Sequence, residues 1–150
     1  MTENIFFFTT LKNNIKFLYD NLTLREGMAM MKAHGFTTVP VLDQTGQYIG
    51  SISEGDLLWF LVDHHETDIL DTAMIGDLIR PSFMPAAHIS IPFDLLLDAS
   101  LHQNFVPIVD DRNIFIGIVT RQSIINYFIS SPAAQNLVLK ETLEAAGLEI

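Results

Sequence analysis

The chain contains no cysteine. Disulfides, thiolate zinc sites, iron–sulfur ligation and a cysteine nucleophile are thereby excluded. Positive charge is also scarce: eight Lys plus Arg stand against 18 Asp plus Glu, a formal charge of −10 over 150 residues. The cations are scattered from Lys12 to Lys140 without a cluster. Nucleic acids and anionic membrane surfaces both need concentrated positive charge, so neither is expected as a partner. Long apolar runs are missing as well. Ile5-Phe6-Phe7-Phe8 is too short for a signal-peptide core and follows Glu3. The longest later run, Leu57 to Val62, is far below the roughly 20 residues that span a bilayer. A cytoplasmic protein is expected. No G-x-G-x-x-G, Walker loop, G-x-S-x-G or H-E-x-x-H occurs, and the Ser, His and Asp residues follow no triad order, so no catalysis is expected. His64-His65-Glu66 with Asp68 offers metal-ligand residue types. Adjacent histidines have no i, i+4 geometry, however, and no metal is expected.

What is present suits a folded domain: 49% of residues are hydrophobic and 17% charged, enough apolar surface to offset the entropy of ordering the chain. The dominant pattern is an internal repeat. Thr38-Val39-Pro40-Val41-Leu42-Asp43 lies over Phe105-Val106-Pro107-Ile108-Val109-Asp110, an offset of 107 − 40 = 67 residues. Tyr48-Ile49-Gly50-Ser51-Ile52-Ser53 falls on Phe115-Ile116-Gly117-Ile118-Val119-Thr120 at the same offset, with no gap. Each copy reads helix, strand, turn, strand, helix.

In the first copy, Thr23 with Glu26 is a capping-box signature, Leu24, Met28 and Met31 form one helical face, and His34-Gly35 ends the helix. In the second, Ser90 is expected to cap, Pro92 suits the first turn, and Phe93, Leu97 and Leu101 make the stripe. Thr37–Leu42 and Tyr48–Ser53 read as strands around Asp43-Gln44-Thr45-Gly46, a hairpin signal repeated at Asp110-Asp111-Arg112-Asn113. Pro40 and Pro107 cannot donate to a ladder, so their strands are edges or carry bulges there. The second helices start at about Asp56 and Ser123. They are apolar around most of their circumference, through Leu57-Leu58-Trp59-Phe60-Leu61-Val62 and through Ile124, Ile125, Tyr127, Phe128 and Ile129. A helix without a polar face needs cover on more than one side, and a second protomer is the economical cover. Asp63 to Asp71 is a linker by composition, and Ser130-Ser131-Pro132 begins a C-terminal helix ending near Gly147.

These motifs resemble the CBS domain. Phe36-Thr37-Thr38-Val39-Pro40-Val41-Leu42-Asp43 followed by Gly50-Ser51-Ile52-Ser53-Glu54-Gly55-Asp56 is similar to its h-P-h-h-D and G-h-h-(S/T)-x-x-D segments, and Asn104 to Asp110 with Gly117 to Arg121 repeats them. Phe8-Thr9-Thr10-Leu11-Lys12 with Phe17-Leu18-Tyr19 resembles the stand-alone two-repeat CBS proteins of Gram-positive bacteria, where Pro usually stands in place of Leu11. The resemblance implies an α/β (α+β) tandem pair, two α-β-β-α repeats related by a pseudo-two-fold axis, each sheet completed by a short lead-in strand. The expected divisions are repeat one at 5–62, a linker at 63–73, repeat two at 74–130 and a C-terminal helix at 131–150.

The resemblance also implies a regulatory sensor that binds an adenosine-containing ligand, such as AMP, ADP, ATP, S-adenosylmethionine or cyclic di-AMP, between the repeats. Carried over from the family, cleft one comprises Ser53 and Asp56 with Arg80, Pro81, Asn104, Phe105 and Val106. Cleft two comprises Thr120, Arg121 and Ser123 with Thr10, Lys12, Thr37, Thr38 and Val39. Two readings stand for most of these residues. Asp56 is either a helix cap or a bidentate acceptor for a ribose diol, and Ser123, its counterpart, cannot accept both hydroxyls. Ser53 and Thr120 either cap a helix or add hydroxyls to a phosphate site at its N-terminus. Arg121 is either a surface ion-pair partner or a phosphate-matching fork. A homodimer through the apolar second helices and an unidentified regulated protein complete the expected partners. A constitutive dimeric scaffold with no ligand is the alternative.

Overall fold

The computed structural model describes residues 4–130 and 143–147. After a short 3-10 turn at Ile5–Phe7, strand β1 (Thr9–Leu11) leads into β2 (Leu18–Tyr19), helix α1 (Leu24–His34), β3 (Thr38–Leu42), β4 (Tyr48–Ser53) and α2 (Glu54–Asp63). A single helical turn, α3 (Ile69–Thr72), and a 3-10 turn at Ile75–Leu78 connect to β5 (Ala87–His88), α4 (Phe93–His102), β6 (Phe105–Val109), β7 (Phe115–Thr120) and α5 (Arg121–Ser130). The sheets have orders β2-β3-β4 and β1-β7-β6-β5. This is a mixed α and β fold made of two copies of one unit, with β1 added antiparallel to β7 of the second copy. In the first copy no strand occupies the equivalent place among the described residues. There Ile79 passes over Gly50 instead.

The same residue types build both units. Thr23 accepts the Glu26 N–H and caps α1, and Gly35 closes it in the left-handed conformation at φ 68°. Helix α4 departs from expectation at both ends. Its N-cap is Pro92, whereas Ser90 bonds the His88 Nδ1 at 2.7 Å. Its buried face runs through Leu96 and Ser100, flanked by Phe93 and Leu97, so Leu101 stands 72% exposed. Two separate cores result. One joins Leu18, Leu24, Met31, Val39, Val41, Ile52, Leu57 and Ile75, the other Ile5, Phe8, Leu96, Val106, Ile108, Val119 and Ile124. The acidic linker is partly ordered into the first. Ile69 and Leu70 of α3 pack on its core, and Arg25 forks onto Asp71 with bonds of 2.8 and 3.1 Å.

Both prolines lie in central strands that are edges locally. β2 reaches only Val41 and Leu42, and β5 only Ile108 and Val109, so no strand flanks Pro40 or Pro107 on that side. The bulges come one residue later, at Val41/Leu42 and Ile108/Val109. The pseudo-two-fold axis is written in backbone hydrogen bonds: Tyr48 N–H to Asn113 O at 3.1 Å and Phe115 N–H to Gly46 O at 2.9 Å exchange places under the repeat offset. Leu42, Tyr48, Val109 and Phe115 form a third cluster here, joining the units. Burial pushes the Tyr48 hydroxyl up to about 12, against the opposing effect of its bond with Ser51, and the hydroxyl also donates to Met84 O at 2.6 Å.

Each motif aspartate shapes its hairpin. Asp43 accepts the Thr45 hydroxyl and the N–H groups of Thr45 and Gln47, and Asp110 accepts the N–H groups of Arg112 and Ile114. The Thr45 hydroxyl bond holds the Asp43 carboxyl below its ordinary value, and the Ile114 backbone bond does the same for Asp110. A carboxyl depressed by folding adds stability above its unfolded pKa and loses it as pH falls through the folded value. Melting temperature is therefore expected to fall below about pH 4, and an Asp43→Asn plus Asp110→Asn variant should show a shallower acid limb. Identical limbs would remove these turns from the acid response.

Candidate ligand-binding clefts

Ser53 ends β4 and caps α2, because its hydroxyl accepts the Asp56 N–H at 3.2 Å. Asp56 answers through Oδ2, which accepts the Ser53 N–H at 2.8 Å and its hydroxyl at 2.9 Å. This reciprocal capping box starts the helix at Glu54, two residues before the expected Asp56. The other oxygen, Oδ1, accepts Arg80 Nε at 2.6 Å. Arg80 also lies with its guanidinium carbon 3.8 Å from the centre of the Phe83 ring, in cation–π range.

Around this pair is a cleft of about 520 Å³ bounded by Ser53, Asp56, Trp59, Phe60, Asp63, Asp77, Arg80 and Pro81. A second cleft, of about 590 Å³, is lined by Phe7, Ser123, Asn126, Tyr127 and Ser130. Adding the repeat offset to Asp56, Trp59, Phe60 and Asp63 gives Ser123, Asn126, Tyr127 and Ser130, so the clefts are equivalent in position. They are not equivalent in charge. Cleft one sets three carboxylates against one guanidinium, whereas the described lining of cleft two carries no charged group. Thr120 repeats the cap of Ser53 by accepting the Ser123 N–H at 3.0 Å, and the two hydroxyls lie 2.8 Å apart. Helix α5 accordingly begins at Arg121 and not at Ser123.

The structure brings Ser53, Asp56, Arg80 and Pro81 together in cleft one. It does not bring Asn104, Phe105 and Val106 there. Phe105 pairs with Thr120 and Val106 with Val119, which puts this segment beside its own repeat's helix start. In the same way Thr38 pairs with Ser53 and Val39 with Ile52, and Thr37 O accepts the Glu54 N–H, so Thr37, Thr38 and Val39 stand beside the start of α2 and line neither cleft. The cause is the antiparallel hairpin, whose first and last residues must be neighbours. Thr10 pairs with Ile118 of β7 and is not among the residues lining cleft two.

Two basic residues depart from expectation. Lys12 Nζ sits 5.3 Å from the Phe17 ring centre and close to Gly46, at the hairpin end of the sheet. The Arg121 guanidinium bonds Ser100 O at 2.6 Å, Leu101 O at 3.1 Å and Asn104 Oδ1 at 3.2 Å. It satisfies the terminal carbonyls of α4, where the helix dipole favours a cation. Arg121→Ala is therefore expected to lower stability by about 1–2 kcal/mol, or a melting temperature lower by roughly 2–8 °C. An unchanged melting temperature would contradict this role.

Sequence reading missed Trp59, Phe60, Asp63 and Asp77 in cleft one, and Phe7, Asn126, Tyr127 and Ser130 in cleft two. A signal for most of them existed: residues i+3, i+4 and i+7 from Asp56 and from Ser123 share a helix face with them. Among the described residues no helix is long and apolar enough to cross a membrane, and no three His, Asp or Glu side chains gather as metal ligands.

Comparison with known proteins adds family and fold. The CBS domain family matches residues 8–63 and 88–130. Inosine-5'-monophosphate dehydrogenase of Helicobacter pylori is 27% identical over 115 residues, 75% of this chain but 22% of the enzyme. The chain thus spans about a fifth of the length of that curated relative. Among solved structures, CbpB in complex with c-di-AMP superposes at a TM-score of 0.80 with 21% identity, covering 95% of this chain and 91% of that one. Listeria monocytogenes CbpB in complex with c-di-AMP gives 0.75 and 19%, covering 83% and 93%. CBSX2 in complex with AMP gives 0.64 and 24%, covering 81% and 93%. At these identities the likeness is one of fold. With both repeats matched by the family and folded as its paired units, the chain belongs to the CBS domain family.

Proposed function

We propose that this chain is a regulatory module that binds an adenosine-containing ligand in its paired clefts and passes the binding to a partner protein, without catalysing a reaction. The observation that carries the reading is the position of Asp56. Its carboxylate stands at the first turn of α2, in a cleft with an aromatic wall of Trp59 and Phe60 and with Arg80 in contact. A carboxylate, a guanidinium and aromatic faces are the groups that ribose, phosphate and adenine call for. CbpB is known in complex with c-di-AMP and CBSX2 with AMP, which favours the adenosyl class here. The module divides into a first repeat at 5–62, a linker at 63–73, a second repeat at 74–130 and a C-terminal segment at 131–150, and it acts in the cytoplasm. A ligand alters partner affinity only if it binds one arrangement of the repeats better than another.

A melting-temperature screen of ligand-stripped protein tests this. AMP, ADP, ATP, S-adenosylmethionine and cyclic di-AMP are the probes, with GTP and inorganic phosphate as controls. At one hundred times its Kd a ligand of the folded state adds about 2.7 kcal/mol, which is a rise of roughly 5–11 °C for a chain of this size. A rise with an adenosyl ligand and none with the controls supports the reading. No rise with any of the five favours a constitutive dimeric scaffold, a reading that the exposed Leu58, Trp59, Ile125 and Ile129 keep in view.

A further inference from the structure

We infer that Arg80 is a latch on cleft one, which must leave Asp56 before a ribose diol binds, and that an anionic group on the ligand is what draws it away. The inference deepens the function proposed above and rests on it.

With Arg80 bound, Asp56 has too few free lone pairs for a diol. An ionised carboxylate offers about four acceptor positions, two on each oxygen. Oδ2 of Asp56 accepts the Ser53 N–H and hydroxyl, bonds that also start the helix and so are costly to release, and Arg80 reaches the same oxygen with a second nitrogen at 3.5 Å. Oδ1 holds Arg80 Nε at 2.6 Å and has one position left. A vicinal diol needs two. The diol is therefore accommodated only when Arg80 departs, and both its hydroxyls then fall on Oδ1. The Asp56 side chain is only 9% exposed and the Arg80 side chain 52%, so the arginine is the member of the pair with room to move.

The backbone confines this motion to the side chain. Pro81 restricts Arg80 to extended conformations, Ile79 is wedged over Gly50, and Met84 O is held by the buried Tyr48 hydroxyl. Among the described residues Arg80 is the one basic side chain lining either cleft. A nucleoside brings no anionic group to compete for the guanidinium. A nucleotide brings phosphate, a bidentate partner for the arginine fork, so one exchange unites phosphate and ribose recognition. The latch thereby selects nucleotides over nucleosides, even though Asp63 and Asp77 make the cleft acidic.

Trp59 is the chain's single tryptophan and lines cleft one and not cleft two, so at fixed protein concentration its fluorescence reports ligand in cleft one. Wild type, Arg80→Ala and Arg80→Lys would be titrated with AMP, adenosine and 2′-deoxyadenosine. Wild type should bind AMP at least about tenfold more tightly than adenosine, the worth of one charge-assisted bond. Arg80→Ala should bind adenosine about tenfold more tightly than wild type does and AMP more weakly, so the preference collapses. The gain should be absent with 2′-deoxyadenosine, which lacks the diol, and Arg80→Lys should keep part of the preference for AMP. If AMP binds wild type but Arg80→Ala leaves adenosine affinity and the AMP-to-adenosine ratio unchanged, the latch is refuted while the cleft's function stands. If neither ligand binds any of the three proteins, the functional reading falls and the latch with it.

Discussion

Gly117→Ala is expected to destabilise the protein by about 3 kcal/mol or more, a fall in melting temperature of roughly 6–12 °C. A Cβ built on Gly117 would overlap the carbonyl oxygen of Thr10 and reach the Thr10 carbonyl carbon at 3.0 Å. Both atoms are backbone, fixed by the antiparallel pairing of β1 with β7, so no rotamer relieves the clash. The chain can escape only by releasing β1. That would disturb the packing of Ile5 and Phe8, which are 3% and 2% exposed in the second core. Gly35→Ala is the control: its φ of 68° strains an alanine, but nothing lies within 4 Å, and about 1–2 kcal/mol should be lost. Thermal or urea unfolding of both variants makes the comparison, and equal losses would contradict the account of Gly117. The glycine of the G-h-h-(S/T) motif is thus explained by the strand that crosses it. At Gly50 no strand crosses among the described residues, and the Ile79 side chain takes that place, its Cγ2 2.6 Å from a built Cβ.

Leu58→Glu combined with Ile125→Glu is expected to convert a homodimer to monomer or aggregate at micromolar concentration. On α2, Leu58, Trp59 and Val62 are 56%, 65% and 48% exposed, and on α5 Ile125 and Ile129 are 56% and 62% exposed. Each helix buries one residue fully, Leu57 or Ile124. So much apolar helix surface suits a protein interface. In a two-fold dimer the two substitutions place four glutamates, and each displaced apolar side chain is worth about 1.5–3 kcal/mol when buried. The sum of at least about 6 kcal/mol weakens association by over four decades. Light scattering reads the outcome, and a monomeric wild type at micromolar concentration would defeat the proposal.

The repeat, the hairpins and the first helix were legible because they depend on local chemistry: prolines and glycines at one offset, a threonine cap, a left-handed glycine. The stripe of α4 shifted from Leu101 to Leu96 because either face of Phe93–His102 offers apolar residues, and only the sheet beneath selects between them. The partners of Arg121 were hidden for another reason. Its sequence neighbours suggest a helix N-terminus, whereas the carbonyls it satisfies belong to a helix about twenty residues earlier. The position of Thr37–Val39 and of Asn104–Val106 beside the helix start of their own repeat was legible too, since the predicted hairpins set Thr38 against Ser53 and Phe105 against Thr120. The acidity of cleft one required knowing that Asp63 and Asp77 converge there from separate segments.

Equilibrium dialysis of ligand-stripped protein against labelled AMP and labelled cyclic di-AMP, in wild type and Asp56→Ala, tests the central claim most directly. The account predicts saturable retention of at least one of the two by the wild type. It predicts weakening in Asp56→Ala by about 1.5–3 kcal/mol, the range of a hydrogen bond to a charged group, with excess unlabelled GTP unable to displace the ligand. Retention of neither nucleotide, or retention that Asp56→Ala leaves unaltered, would contradict it.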